Sequence, residues 1–149
     1  MAYEFKYRRR VEFAETDMAG ICHFANFFRY VEEAEHAFLR SLGASVHTAT
    51  EDGFVSFPRV SVQCDFELPL RFEDEVEVHL LVRQRNAKSI TYDFVCRTAG
   101  PDARQAAHGS MTVVCVAKGP GDEAMKATAI PDALASQIEP APPQLLQNS

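Results

Sequence analysis

Apolar and polar residues alternate with a period of two along residues 3–13. Tyr3, Phe5, Tyr7, Val11 and Phe13 share one face, and Glu4, Lys6, Arg8, Arg10 and Glu12 share the other. That pattern predicts a strand with one face in a core and the other in water. Arg9 falls on the apolar face, and the run Arg8, Arg9, Arg10 reads as a solvated strand rather than a binding patch. The period then changes. Phe27, Tyr30, Val31, Ala34, Phe38 and Leu42 recur at three and four, with Phe24 at the entry, opposite Arg29, Glu32, Glu33, His36 and Arg40. This predicts an amphipathic helix over residues 24–42. Asn26 or the residues just before it are the expected cap. Gly43 sits where a left-handed C-terminal residue belongs.

After the helix the period of two returns. Val60, Val62, Cys64, Phe66 and Leu68 form one apolar face, then Val76, Val78, Leu80 and Val82, then Ile90, Tyr92, Phe94 and Cys96. A last run covers about residues 105–117 and ends in Val113, Val114 and Val116. The links at 68–74, 85–89 and 99–104 are short, which suits antiparallel neighbours. One strand, one long helix and four strands predict an α+β fold in which an antiparallel sheet curls around and buries one long central helix. Such a sheet leaves edges that favour dimerisation by edge pairing or face packing. Ile130 to Ile138 reads as a short helix begun by Pro131. Residues 1–139 are thus expected to form a single domain, and 140–149 a flexible C-terminal tail.

Composition narrows the classes. A chain of 149 residues suggests one domain, and a formal net charge of −6 argues against nucleic acid or an anionic membrane as the main partner. The four cysteines, Cys22, Cys64, Cys96 and Cys115, form no closely spaced pair. They are expected to be free thiols in a reducing compartment, and no metal site is expected. The N-terminus is charged and lacks an apolar signal core, and no stretch approaches the roughly 20 apolar residues of a membrane span. A cytoplasmic protein is expected.

The segment FAETDMAGICHFANFF, residues 13–28, carries the candidate chemistry. It places Asp17 just before the helix, where a carboxylate among apolar residues needs partners or a task. Gly20 allows a tight turn and a close approach of substrate to the backbone. The helix start offers unpaired N–H groups and a positive dipole end. Taken alone, Asp17 could simply cap the loop or the helix. Glu15 reads as a strand-end surface residue, and Glu32, Glu33 and Glu35 as solvated or interfacial. His36, His47, His79 and His108 are scattered and read as surface or packing residues.

Asp17-x-x-Gly20-Ile21-x-x-x-Ala25-Asn26, followed by an aromatic residue, Arg29-Tyr30 and Glu32-Glu33-Ala34, resembles hotdog-fold acyl-CoA thioesterases. The similarity is to the 4-hydroxybenzoyl-CoA thioesterase family, including relatives acting on 1,4-dihydroxy-2-naphthoyl-CoA or short acyl-CoA. Thr16-Asp17, the run from Leu39 to Gly43, Pro58 with Val60, Pro69 with Asp74, Lys88-Ser89 and Val114-Cys115-Val116 extend it over about residues 5–135.

The resemblance implies a hotdog homodimer or dimer-of-dimers homotetramer with active sites between subunits. It implies thioester hydrolysis of an acyl-CoA, with coenzyme A part of the substrate and no separate cofactor. Asp17 would be the nucleophile or general base, beside Gly20, and the backbone N–H of Phe24 the oxyanion donor. His23 and Asn26 would lie at the substrate, and Arg85, Lys88 and Ser89 would hold the CoA phosphates. One departure is present. Many relatives carry Tyr-His where this chain has His23-Phe24, and Phe24-Ala25-Asn26 is instead similar to the dihydroxynaphthoyl-CoA group. The role of His23 is therefore open. Phe24, Phe27, Phe28 and Phe57 would suit an aromatic-lined pocket, although phenylalanines on an apolar helix face are core residues by default. A thioesterase acting on acyl carrier protein and a non-catalytic acyl-CoA-binding hotdog module are the alternatives.

Overall fold

The computed structural model describes residues 1–122 and 124–146. The last three positions of the expected flexible tail lie outside the described residues. The alternating segment at the start forms β1 (Glu4–Arg10) and leads through a single 3₁₀ turn at Phe13–Glu15 to the helix α1 (Ala25–Ser41). The strands β4 (Arg59–Phe66), β5 (Glu75–Arg85), β6 (Ser89–Thr98) and β7 (Gln105–Val114) complete one antiparallel sheet in the order β1-β5-β6-β7-β4.

α1 lies against β1 and β5 and supplies Phe27, Tyr30, Val31, Ala34, Phe38 and Leu39 to the core. The sheet answers with Val76, Val78, Leu80 and Val82 from β5, Ile90, Tyr92, Phe94 and Cys96 from β6, and Met111 and Val113 from β7. Phe38 meets Tyr92 edge-on at 6.2 Å between ring centroids. Truncating such a buried ring to alanine typically costs about 3–5 kcal/mol. The helix ends as its sequence predicts. Gly43, at φ +76°, donates its N–H to Arg40 O, and Ala44 donates to Leu39 O, closing the last turn with the paired bonds of a Schellman motif. Its start differs from expectation. Phe24 is the first flanking residue and its side chain makes no capping bond; the Asn26 amide instead donates to Glu15 O.

Four short strands were not foreseen. β2 (His47–Thr50), β3 (Gly53–Ser56), β8 (Val116–Lys118) and β9 (Lys126–Ala127) form a second antiparallel sheet in that order. The run predicted over 105–117 breaks at Cys115, which leaves the first sheet so that Val116 can pair with Ser56 in the second. The C-terminal helix expected over 130–138 is confined to α2 (Asp132–Ala135), while Ile130, Leu134 and Ile138 pack into the core. Beyond it, Ala141 is buried and donates its N–H to Val82 O. Pro143–Leu145 makes a 3₁₀ turn.

β4 is the edge strand that positions the site. The register aligns Cys96, Ala107 and Phe66 in one row across β6, β7 and β4, and Tyr92, Met111 and Val62 in another. Val62 and Phe66 therefore continue the core face, which α1 covers only in part. The apolar face read for β4 is consequently not buried within one chain: Val60 is 61% exposed, Val62 45% and Phe66 47%.

Candidate active site

Residues 15–24 form a loop that closes on itself before α1 begins. Thr16 and Cys22 face each other in an antiparallel bridge, and Asp17 N–H donates to Ile21 O at 2.9 Å. Gly20 N–H returns to Asp17 O at 2.9 Å with Gly20 at φ +77°, a left-handed turn that favours glycine. Cys22 N–H donates to Leu70 O at 2.7 Å, which ties the loop to the segment after β4.

Asp17 sits half-buried at the loop's tip. Its Oδ1 accepts the Ala19 N–H at 2.9 Å, while Oδ2 accepts no hydrogen bond among the described residues. At the other end of the loop, His23 N–H donates to Glu15 O at 2.8 Å. Ala25 N–H reaches His23 Nδ1 at 3.3 Å, and the next two N–H groups return to His23 O and Phe24 O. The Phe24 N–H is left with no acceptor among the described residues. It stands at the start of a 17-residue helix, where the positive end of the helix dipole lies.

Asp17 and Phe24 line one cleft of about 480 Å³ together with Ile21, Cys22, Phe27, Phe66, Glu67, Leu68 and Pro69. Its walls are largely apolar. Phe66 meets Phe24 edge-on at 6.2 Å and Phe27 at 5.3 Å between centroids. A residue with an unbonded carboxylate oxygen and a residue with an unbonded backbone N–H thus line the same apolar slot. That combination can attack, or direct water at, a carbonyl carbon while stabilising the oxygen that becomes negative.

The match to family models agrees with this geometry: residues 11–138 match the Thioesterase-like superfamily. The chain belongs to that superfamily. A 1,4-dihydroxy-2-naphthoyl-CoA hydrolase from Synechocystis is 30% identical over 113 residues, covering 76% of this chain and 81% of the relative. The crystal structure of a 1,4-dihydroxy-2-naphthoyl-CoA thioesterase from Synechocystis superposes with a TM-score of 0.76 at 27% identity, over 89% of this chain and 93% of the other. The 4-hydroxybenzoyl-CoA thioesterase from a Pseudomonas species superposes with a TM-score of 0.75 at 18% identity, over 91% of this chain and 99% of the other, and shares the fold. The architecture is the hotdog fold expected from the sequence.

The other anticipated residues of the thioesterase distribute unevenly. His23 is exposed and stacks at 4.7 Å on Phe24, and the side chain of Asn26 faces back to Glu15 O rather than into the cleft. Arg85, Lys88 and Ser89 sit at the turn between β5 and β6. Arg85 Nε donates to Ile138 O at 3.0 Å, and Ser89 Oγ accepts from Asn86. That turn lies at one end of β6, whereas the row leading to Phe66 starts from Cys96 at the other. Within one chain these residues do not meet the Asp17 cleft. Phe57 is also remote, lining a separate cavity with Leu42 and Leu134 beyond the end of α1.

Two carboxylates, Glu15 and Glu35, differ from their sequence-based reading. Glu15 is no surface residue: its side chain is 15% exposed and is held by Arg9, which is itself only 13% exposed and not part of a solvated basic run. Glu33 joins the same arginine at 2.7 Å. Glu35 is fully buried, with Oε1 accepting from Arg59 Nη2 at 3.0 Å. No local pattern signals these pairings: Glu33 and Glu35 meet arginines 24 positions away, and Glu15 meets Arg9 only because the chain turns back after β1.

Two further groups in the cleft escaped the sequence reading. Glu67 accepts from Gln105 Nε2 at 2.8 Å and contacts the His108 imidazole, and these partners hold its carboxyl below the usual range. Cys22 is the other. Burial pushes its thiol up, with the Tyr30 hydroxyl 3.3 Å away working against the shift. A thiol kept protonated is a poor nucleophile, so Cys22 is a weaker candidate than the carboxylates of Asp17 and Glu67 that line the same cleft.

Proposed function

We propose that this thioesterase hydrolyses aromatic acyl-CoA thioesters, with Asp17 as nucleophile or general base and the Phe24 N–H as oxyanion donor. The observation that carries the reading is the pairing of an unencumbered Asp17 Oδ2 with an unencumbered Phe24 N–H in one apolar cleft. In the direct route, Asp17 attacks the thioester carbon and the C–S bond breaks. Coenzyme A leaves as thiolate, and water then cleaves the mixed anhydride. In the water route, Asp17 takes the proton as the water oxygen attacks the same carbon, and the tetrahedral intermediate expels the thiolate. Both routes place negative charge on the former carbonyl oxygen, where a donor of this kind is typically worth about 3–4 kcal/mol.

Aromatic selectivity is supported by the edge-on set Phe24, Phe27 and Phe66, which offers ring edges and faces to a flat acyl group. The hydroxynaphthoyl-CoA activity of the relatives points the same way. A panel of benzoyl-, hydroxybenzoyl-, naphthoyl- and straight-chain acyl-CoA thioesters tests this by CoA release. The reading expects kcat/KM highest for bicyclic or hydroxylated aromatic groups. A preference for long straight chains contradicts it.

The same reading includes a homodimer formed along β4, or a tetramer made of two such dimers. Its support is the unpaired edge of β4 and the uncovered apolar side chains Val60, Val62 and Phe66. A second chain would also be the source of phosphate contacts from Arg85, Lys88 and Ser89, since one chain keeps them away from its own cleft. No described helix is long and apolar enough to cross a membrane. Four free cysteines accord with the cytoplasm as its compartment.

A further inference from the structure

Glu15 holds both ends of the catalytic loop. Through its backbone oxygen it accepts His23 N–H at 2.8 Å and Asn26 Nδ2 at 2.9 Å, so the residue before Phe24 and the first turn of α1 are both fastened to it. Along the chain it precedes Thr16 and Asp17 directly. The position of the carboxylate and the position of the N–H donor are therefore both referred to one residue.

The side chain of Glu15 is fixed in turn. Arg9 Nη2 donates to Oε1 at 2.6 Å and to Oε2 at 2.7 Å, Tyr30 OH donates to Oε1 at 2.8 Å, and Glu12 N–H donates to Oε1 at 2.9 Å. Arg9 is itself immobilised. Its Nη1 bonds both oxygens of Glu33 at 2.9 and 2.7 Å, its guanidinium carbon lies 4.3 Å from the Tyr30 ring centroid, and Tyr7 OH steadies Glu33 at 3.0 Å. One guanidinium thus joins β1, the catalytic loop and α1. Charge-assisted bonds of this length are the stiffest available to side chains.

We propose that the Arg9–Glu15 pair is a positioning clamp that sets Asp17 and the Phe24 N–H against each other for the reaction, an inference that rests on the catalytic roles given to those two groups above. Neither Arg9 nor Glu15 lines the cleft. Their effect is transmitted through the Glu15 backbone, and errors near 1 Å in such placements cost roughly 100-fold in rate.

Steady-state kinetics with a hydrolysed aromatic acyl-CoA test the clamp. Four variants are compared: Glu15→Gln, Arg9→Lys, Asp17→Asn and the double variant of Asp17 and Glu15, each shown to be folded by circular dichroism. Glu15→Gln is expected to lower kcat by roughly 10- to 100-fold with KM changed less than about threefold. Arg9→Lys keeps the charge on Glu15 and is expected to fall between Glu15→Gln and wild type. The double variant is expected to match Asp17→Asn, because groups that act as a unit do not add. If Glu15→Gln does not fold, Tyr30→Phe removes one bond to Glu15 and leaves the ion pair, and a kcat loss of about three- to tenfold is expected. Wild-type kcat in the folded Glu15 or Tyr30 variant, or a further loss in the double variant equal to that of Glu15→Gln alone, overturns the clamp while leaving Asp17 in its role. Full activity in Asp17→Asn overturns both.

Discussion

Glu35 Oε1 accepts a hydrogen bond from Arg59 Nη2 at 3.0 Å, although Glu35 itself has no exposure to solvent. The contact joins the middle of α1 to the edge strand β4. It is incomplete: Glu35 Oε2 and the Tyr92 hydroxyl are buried and have no hydrogen-bond partner among the described residues. Burial raises the Glu35 carboxyl to about 7, against the opposing pull of Arg59, and burial raises the Tyr92 phenol as well.

This buried acid makes stability depend on pH. The folded chain binds the Glu35 proton more tightly than the unfolded chain, whose carboxyl titrates near the ordinary value of 4.5. The stabilisation from that proton is complete below the unfolded value and is lost as pH rises through about 7. Glu35→Gln keeps the shape and removes the titration. Between about pH 4 and 8 the unfolding free energy of the variant is expected to rise relative to wild type by on the order of 3 kcal/mol. Urea titrations across that range check it, and parallel pH profiles for the two proteins contradict it.

Gly109 packs where β7 meets β4. A Cβ there would stand 1.9 Å from Gln63 O, 2.7 Å from Phe94 Cζ and 2.9 Å from Cys64 Cα. Two of these neighbours are backbone, so the strands themselves would have to part. Gly109→Ala is expected to destabilise the fold by at least about 2 kcal/mol. Thermal unfolding measures it, and an unchanged melting temperature would show that β4 yields freely.

Phe66 supplies the edge-on contacts that shape the slot. Removing its ring by Phe66→Ala is expected to lower kcat/KM for aromatic acyl-CoA by roughly 10-fold. Straight-chain substrates, which gain nothing from ring edges, are expected to change less. Equal losses on both classes would assign Phe66 to general packing.

Val62 lies on the uncovered part of the core face. A carboxylate there would oppose its burial against a second chain. Light scattering on wild type is expected to give a multiple of the 16.6 kDa chain mass, and Val62→Glu a mass near that of one chain. An unchanged mass in the variant removes β4 from the interface.

Much of the fold was legible in the sequence because its main elements carry sustained periods. β1 and β4 to β7 alternate strictly enough to read, and α1 shows a continuous stripe from Phe27 to Leu39. The hairpin of β2 and β3 did not show, since His47–Thr50 is a polar strand with every side chain exposed and no alternation to detect. That Asp17, Gly20 and Phe24 share one loop at the start of α1 was readable because the arrangement is local in sequence, while the roles given to them rest on the family resemblance. Arg9, Glu15 and Glu35 were misread because burial of a charge is decided by its partner. Arg9 meets Glu33 across the sheet–helix interface, and Arg59 meets Glu35 from another strand. The exposure of Phe66 and Val62 was equally hidden, because period identifies a face but not how far the helix reaches across it.

The Asp17 carboxylate is proposed to perform or direct thioester hydrolysis in the cleft it shares with Phe24. CoA release by wild type and Asp17→Asn, with matched binding of the same aromatic acyl-CoA, tests it most directly. The substitution keeps an acceptor for the Ala19 N–H and removes the charge and basicity at Oδ2. A fall in kcat of about 10²- to 10⁴-fold with binding retained is expected. Wild-type kcat in folded Asp17→Asn would contradict it.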